Sequence, residues 1–281
     1  MARFDPATGK YAYLTIDGID YRIYYESNGD GIPMVCQHTA AADGRQWRYV
    51  LNDKDITSKY KVIAPDLPYH GKSNPPESVK WWTEEYKLTL NFLISFYKEF
   101  NRALGLERPV YIGCSMGGHL APDLALRCPE EFRAVIGICG SVKSEMPTLS
   151  WYGHPRISND FRAAVTMGMT APTTPERNKR QIAWEYGQSA TSVFDGDLHY
   201  YFNDHDLTGK TNEINTSRVA VYMLGGEYDP STSPADVKEL VEQIKGAKFI
   251  ELKGLSHFAM CEDFGIFKGY LMPILNEIEK L

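Results

Sequence analysis

Residues 113–117 read Gly-Cys-Ser-Met-Gly, so that a serine lies between two glycines. The apolar, β-prone run 110–112 comes directly before this pentapeptide, and the helix-forming stretch 118–127 directly follows it. A strand that reverses sharply into a helix needs small residues beside the turn, because a Cβ there would collide with neighbouring backbone. The context favours a Ser115 hydroxyl held up at the end of a sheet, where it could act as a nucleophile. A glycine-rich loop that merely closes a tight turn is the alternative.

A nucleophilic serine needs a base beside its hydroxyl, a carboxylate that orients the base, and donors for the oxyanion. Asp229 comes soon after the apolar run 219–224, and His257 comes soon after the run 248–252. Because the carboxyl ends of parallel strands gather functional loops at one edge of a sheet, we predict that both side chains approach Ser115. His257 would then be the base and Asp229 its partner.

Each of these two residues also has an ordinary explanation. Asp229 and Pro230 could form a plain turn, and a lone histidine in a loop is usually incidental. The order Ser115, Asp229, His257 along the chain, with each residue after a predicted strand, is much less expected by chance. Glu227 is a competing acid whose neighbours fit the turn less well, and Glu145 is a more distant alternative.

Two backbone N–H groups are predicted to bind the oxyanion. One belongs to Met116, which follows the serine at the start of the helix. The other should come from the loop after the apolar run 33–36, which reads Gln-His-Thr-Ala-Ala over 37–41, and Ala40 is our choice of donor. His38 is expected to organise this loop by hydrogen bonding rather than to act as the base.

Alternating strand-like and helix-like segments must position these groups. Segments 11–16 and 21–25 flank Asp17 and Gly18, a strong hairpin signal. Apolar residues recur at near-helical spacing over 83–104, which predicts a helix there. Alternation of this kind implies a mostly parallel sheet with helices on both faces. Further strands are predicted at 33–36, 61–64, 110–112, 134–139, 219–224 and 248–252.

The segment 142–215 interrupts this alternation, because it contains no clear buried strand and is rich in aromatic residues and histidines. We predict a lid with short helices at 161–167 and 175–186, since long inserts between core strands are usually functional. The alternative is that its aromatic residues pack a small core of their own. The candidate substrate contacts within the insert are Trp151, His154, Trp184 and Tyr186.

Composition narrows the class of protein. A chain of 281 residues with 43% hydrophobic and 23% charged residues is typical of a globular protein with a sizeable core. Its net charge of −6 and the lack of a dense Lys/Arg run argue against nucleic acid as a partner. We see no secretory leader and no long apolar stretch, so we expect a cytoplasmic protein without a membrane contact. The five cysteines lack metal-site spacing and are interpreted as buried thiols rather than disulfides.

Together these motifs resemble the α/β-hydrolase superfamily over most of the chain. The supporting segments are 113–118, 226–229, 254–257 and 66–73, the last of which is similar to the family's D-x-x-G-x-G-x-S loop. The resemblance implies an α/β fold with a mostly parallel, twisted sheet of about eight strands and helices on both faces.

The resemblance also implies the domain organisation and the roles of the site residues. Residues 1–141 and 216–281 would form the core domain, and 142–215 would form a helical cap. Ser115 would be the nucleophile, His257 the base and Asp229 its partner. A serine at position 115 excludes the branches of the superfamily that begin with a carboxylate nucleophile, such as haloalkane dehalogenases and epoxide hydrolases.

The oxyanion loop departs from the family's usual pattern, which is His-Gly followed by an apolar residue. Here His38 and Ala40 enclose Thr39. A threonine restricts the backbone and adds a hydroxyl. His38 and Thr39 are also candidate substrate contacts.

Two arginines follow this loop. Arg45 or Arg48 could hold a substrate carboxylate by a bidentate contact. A surface pairing of either arginine with Asp43 or Asp66 is at least as well supported by the sequence.

The function that we predict is hydrolysis of a small, moderately hydrophobic carboxylic ester or lactone by Ser115, without a metal or organic cofactor. Hydrolysis of a carbon–carbon bond in a ketone-bearing ring-cleavage product uses the same residues and is the nearest alternative. A different class is a small-molecule receptor that keeps the fold and turns over little. The expected partner is therefore a small-molecule substrate, and a homodimer is compatible with the sequence.

Overall fold

A single eight-stranded sheet forms the centre of the computed structural model, which describes residues 2–144, 156–190 and 192–281. The strands are β1 (Thr8–Ile16), β2 (Ile19–Asn28), β3 (Ile32–Gln37), β4 (Tyr60–Pro65), β5 (Val110–Cys114), β6 (Ala134–Ile138), β7 (Ala220–Gly226) and β8 (Lys248–Leu252). They lie in the order β1-β2-β4-β3-β5-β6-β7-β8. Pairing is antiparallel between β1 and β2 and between β2 and β4, and parallel across the rest. The predicted fold class is confirmed.

The predicted N-terminal hairpin is present. Asp17 and Gly18 join β1 to β2 with φ angles of 51° and 76°. A two-residue turn with two positive φ angles has the twist that antiparallel strands require, which explains why an Asp-Gly pair occupies it.

Helices cover both faces of the sheet. They are α1 (Arg48–Leu51), α2 (Lys54–Thr57), α3 (Leu90–Leu104), α4 (Met116–Arg127), α5 (Asn159–Gly168), α6 (Glu176–Gly187), α7 (Val193–His199), α8 (Pro234–Glu242), α9 (Ala259–Glu262) and α10 (Phe264–Ile278). Neighbouring strand residues belong to different cores: Tyr111 packs with α3 and α4, whereas Ile112 packs with α1 and α10. Alternation along each strand therefore supplies two apolar layers. Within the described residues, no helix is long and apolar enough to span a membrane.

The helix predicted over 83–104 begins later than expected. Its first turn starts at Leu90, because Thr89 caps it by accepting the N–H of Phe92 at 3.2 Å. The segment just before it is tied to the insert instead, through the bond from the Leu88 N–H to the carbonyl of Gly196 at 2.9 Å. The apolar spacing before residue 90 therefore reflects contacts outside a helix.

The insert lies between β6 and β7 and carries α5, α6 and α7. Helices α5 and α6 span the two stretches that the sequence predicts to be helical. The exact division into core and cap stays a prediction. Of the residues proposed above, Glu145, Trp151 and His154 lie outside the described residues.

Candidate active site

Ser115 stands at the junction of β5 and α4 in a strained backbone conformation. Its φ and ψ are 57° and −113°, in a region that residues with a side chain rarely adopt. The Ser115 N–H donates to the carbonyl of Ile138 on β6 at 2.9 Å, and its own carbonyl accepts from the N–H of His119 at 2.9 Å. The adjacent strand and the first turn of the helix thus hold the serine in place.

The glycines around the serine are required by close backbone approaches. A Cβ on Gly118 would lie 2.0 Å from the carbonyl oxygen of Ile138, and one on Gly113 would lie 2.6 Å from the carbonyl oxygen of Gly117. Such distances are far inside van der Waals contact. The sharp turn predicted from the pentapeptide is therefore the one that forms.

Asp229 and His257 form a buried hydrogen-bonded pair at the ends of β7 and β8. Nδ1 of His257 donates to Oδ2 of Asp229 at 2.8 Å. The other carboxylate oxygen accepts the backbone N–H groups of Ser231 and Thr232, at 2.8 and 3.2 Å. Because the carboxylate accepts, Nδ1 carries the proton and Nε2 keeps its lone pair in the neutral imidazole.

The pair shifts the ionisation of both of its members. Burial acts to lower the pKa of His257, but the charge of Asp229 and the hydrogen bond outweigh it and raise that pKa. Burial acts to raise the pKa of Asp229, and the interaction with His257 reverses this and lowers it. The geometry thus favours an anionic acid beside a strongly basic imidazole.

The competing acid Glu227 has a different contact. Its carboxylate accepts the N–H of Gly254 at 2.8 Å, in the left-handed turn that begins the histidine loop, residues 254–257. Asp229 is the acid that contacts the imidazole.

The backbone on both sides of His257 is held by a residue that the sequence analysis missed. The buried carboxylate of Glu262 accepts the N–H of Ser256 at 2.9 Å and the N–H of Phe258 at 2.8 Å. It also accepts the N–H of Ala171 from the insert at 3.0 Å. An acid directly after the apolar run 258–261 was the available signal, because a charge that is buried with such a run needs buried partners.

In the oxyanion loop, the backbone N–H groups on either side of Ala40 are already bonded. The Thr39 N–H donates to Oε1 of Gln46 at 2.9 Å, and the Ala41 N–H donates to Oδ2 of Asp197 at 2.7 Å. Within the described residues, neither the Ala40 nor the Met116 N–H has an acceptor. Both predicted donors are thus available to a ligand.

His38 organises this loop, as its position suggested. Nδ1 donates to the carbonyl of Thr39 at 2.8 Å, and Nε2 accepts the N–H of Leu67 at 3.1 Å. Burial is the main cause that lowers the pKa of His38 to about 4, so the ring is neutral. Both ring nitrogens are therefore engaged with backbone.

The two aromatic candidates on α6 have different surroundings. Tyr186 is buried, and its hydroxyl lies 2.5 Å from the hydroxyl of Thr39. Trp184 is 67% exposed. Positions two apart on a helix are about 200° apart around its axis, so only one of the two can face the loop.

The two arginines are paired with acids. Arg45 bonds to Asp43 at 2.6 Å, which was the alternative to a substrate contact. Arg48 bonds to Glu185 of the insert at 2.7 Å. Burial is the leading cause that raises the pKa of Glu185 to about 7.

Cys139 is a further residue that sequence reasoning did not connect with the site. The described part of the chain contains one group of side chains whose potential metal-ligating atoms all lie within 4.8 Å of one another. It consists of Cys139, Asp229 and His257. The hydrogen bond between the acid and the imidazole already occupies both of those groups. All five cysteines are buried and free of disulfides.

Comparisons with known proteins agree with this architecture. A family model described as alpha/beta hydrolase fold matches residues 32–239. The chain is 32% identical over 303 aligned positions to epoxide hydrolase 4 of Mus musculus, covering 97% of this chain and 81% of the relative. A thermophilic esterase from Thermogutta terrifontis superposes with a TM-score of 0.83 at 15% identity, covering 96% of this chain and 99% of the other. The enol-lactonase from Burkholderia xenovorans LB400 superposes with a TM-score of 0.79 at 18% identity, covering 94% and 99%.

Proposed function

The chain belongs to the α/β-hydrolase fold family and is a hydrolase, and from that premise we propose that it cleaves a small, moderately hydrophobic carboxylic ester or lactone through an acyl-enzyme on Ser115. The observation that carries the proposal is the hydrogen bond between His257 and Asp229, which fixes the imidazole tautomer. The strained turn that holds Ser115 supports it.

The first half-reaction forms the acyl-enzyme. Nε2 of His257 takes the proton of Ser115 as Oγ attacks the carbonyl carbon, and the carbonyl oxygen becomes an oxyanion. The N–H groups of Met116 and Ala40 donate to this oxyanion, and each contributes about 3 kcal/mol to transition-state stabilisation. The protonated imidazole then gives its proton to the departing alkoxide, and the carbon–oxygen bond of the ester breaks.

The second half-reaction releases the acyl group. His257 removes a proton from water, whose oxygen attacks the acyl carbon, and the same two N–H groups stabilise the second oxyanion. Collapse returns the proton to Oγ of Ser115 and frees the carboxylic acid. Asp229 stays ionised and stabilises the imidazolium that forms in each half.

The residue at position 115 supports acyl transfer over epoxide opening. Epoxide hydrolases of this superfamily begin with a carboxylate nucleophile, whereas this chain has a serine there, despite its similarity to a protein named epoxide hydrolase 4. The names of the two structural neighbours, an esterase and an enol-lactonase, agree with ester or lactone chemistry. Carbon–carbon bond hydrolysis would use the same three residues, and the substrate panel described below tests for it.

The test is intact mass and peptide mapping after incubation with a fluorophosphonate. We expect a single adduct on Ser115, no adduct on Ser115→Ala, and an unchanged adduct on Ser58→Ala, whose serine is exposed at the end of α2. A panel of esters, lactones and dicarbonyl compounds should then give turnover with esters or lactones, lowered about 10⁶-fold by Ser115→Ala.

Two results would overturn this proposal. Retained turnover in Ser115→Ala would remove the serine from the reaction. An adduct on Ser115 together with turnover of the dicarbonyl compounds alone would assign carbon–carbon hydrolysis instead, and an adduct without turnover of any compound would favour the receptor function.

A further inference from the structure

Two side chains of the insert contact the oxyanion loop on either side of Ala40. The Tyr186 hydroxyl of α6 meets the hydroxyl of Thr39 at 2.5 Å, and the Asp197 carboxylate of α7 accepts the N–H of Ala41 at 2.7 Å. We propose that Tyr186 and Asp197 are positioning residues that hold the Ala40 N–H where the oxyanion forms, so that the insert completes the oxyanion hole. This inference rests on the proposed function.

Asp197 belongs to the insert but is buried among residues of the core. Its side chain is fully buried and accepts the Ala41 N–H, Nε2 of His70 at 2.8 Å and the hydroxyl of Tyr86 at 3.1 Å. A carboxylate transferred from water to this place is stable only because several donors replace its hydration. Asp197 therefore has a fixed position, and so does the amide that it holds.

His70 contributes a charge to this arrangement. Its Nδ1 faces the carbonyl of Pro68 at 2.9 Å, and its Nε2 faces Asp197. Since both partners are acceptors, both ring nitrogens carry protons and the ring is an imidazolium. Burial acts to lower the pKa of His70, but the charge of Asp197 outweighs it and raises that pKa. The result is a buried ion pair at the base of the oxyanion loop.

The backbone of the loop explains why such an anchor is needed. Ala41 has a φ of 60°, in the left-handed region that disfavours any residue with a side chain. A conformation of that kind persists only where the surroundings impose it, and the bond from its N–H to Asp197 does so. Ala40 directly precedes this strained residue, so its N–H direction depends on the same anchor.

Thr39 gives the insert its second contact. Its N–H and hydroxyl are both bonded to Gln46, at 2.9 and 3.0 Å, and the hydroxyl also meets Tyr186. A glycine at this position, as in the family's usual pattern, would offer no hydroxyl to the insert. The threonine that departs from the pattern is thus the residue through which α6 reaches the loop.

The experiment measures kcat, KM and the inhibition constant of a trifluoromethyl ketone for Asp197→Asn, Asp197→Ala and Tyr186→Phe. The ketone adds to a nucleophilic serine and places its oxyanion in the same hole, so its affinity reports on the donors. Values of kcat are normalised to the sites titrated by fluorophosphonate, which removes any unfolded fraction. The matched controls are Asp195→Asn, exposed on the same helix, and Tyr49→Phe, which loses a different contact between core and insert at 3.4 Å.

We expect kcat to fall roughly 10-fold in Asp197→Asn, up to about 100-fold in Asp197→Ala and roughly 5-fold in Tyr186→Phe, since a complete donor is worth 10²–10³-fold. KM should stay within about twofold of its original value, because an interaction confined to the transition state leaves substrate binding unchanged. The inhibition constant should rise by the same factor as kcat falls, and both controls should match the unmodified protein. If Asp197→Ala does not fold, Asp197→Asn and Tyr186→Phe decide the question.

The inference is overturned if Asp197→Asn and Tyr186→Phe keep the original kcat, or if kcat falls while the inhibition constant stays the same. Ser115→Ala separates this failure from a failure of the proposed function. Loss of turnover and of ketone binding in Ser115→Ala, with unchanged values in the other variants, would leave the serine mechanism intact and remove the role of the insert.

Discussion

The serine turn (113–117) and the oxyanion loop (37–41) are proposed to act in the same reaction, but they are held in different ways. The backbone of Ser115 is bonded to its own helix through His119 and to the neighbouring strand β6 through Ile138. The oxyanion loop is held in part by its own His38 and by Gln46 of the core. It is also held by Tyr186 and Asp197 of the insert, which lie 147 and 156 residues away along the chain from the positions that they contact. The proposed nucleophile is therefore positioned by the core, whereas the backbone beside the proposed donor Ala40 also has contacts with the insert.

The histidine loop lies between these extremes. Asp229 and His257 come from adjacent parallel strands, so the sheet alone brings them together. Glu262 then links the backbone around His257 to Ala171 of the insert. The insert therefore contacts the backbone of both the oxyanion loop and the histidine loop.

Apart from the loss of Ser115 itself, the largest expected effect lies on the core side of this comparison. Asp229→Asn should lower kcat about 10⁴-fold, because an amide can donate to Nδ1 and so favours the wrong imidazole tautomer. The measurement is steady-state kinetics on the preferred ester, with Glu227→Gln as the control that should lose little, since Glu227 contacts Gly254 instead. If Glu145→Gln had the large effect and Asp229→Asn did not, the acid would lie on the earlier strand.

The second prediction compares a glycine beside the serine turn with a glycine of the insert. Gly118→Ala should lower the free energy of unfolding by about 2–3 kcal/mol, because the new Cβ would meet the backbone of Ile138. Gly168→Ala in α5 should raise it by up to about 1 kcal/mol, because no atom lies within 4 Å of its Cβ position and alanine favours a helix. Urea unfolding of both variants measures the difference. A free energy for Gly118→Ala within about 0.5 kcal/mol of the original would show that the turn can relax.

The same division explains what the sequence could predict. The strands, the serine turn and the pairing of Asp229 with His257 follow from local patterns and from the rule that parallel strands share one edge. Asp197 could not be found in this way, because its partners belong to distant segments of the chain and no local spacing marks it. The predicted start of α3 was wrong for a related reason, because the N–H of Leu88 is bonded to the carbonyl of Gly196 in the insert.

Tyr186 and Trp184 illustrate the limit within a single helix. The spacing along α6 shows that they point in different directions, but it does not show which of them is buried. That choice depends on the core side of the interface, where Tyr186 meets the hydroxyl of Thr39 and packs against the ring of Phe258.

The smallest expected effect is a change in the pH dependence of kcat/KM. It is also the effect that separates the two regions most clearly. In the proposed mechanism, only neutral His257 can accept the serine proton, and Asp229 raises the pKa of His257 above its usual 6.5. The logarithm of kcat/KM should therefore fall with a slope of one as the pH drops through that raised pKa, with the midpoint above pH 6.5. In Asp229→Asn the charge is lost while burial remains, so the midpoint of the residual activity should move to lower pH.

In Asp197→Asn and Tyr186→Phe the rate should fall at every pH and the midpoint should stay in place, because neither residue contacts the imidazole. A shifted midpoint in those two variants would mean that the insert acts on His257, through the link from Ala171 to Glu262, rather than on the oxyanion loop.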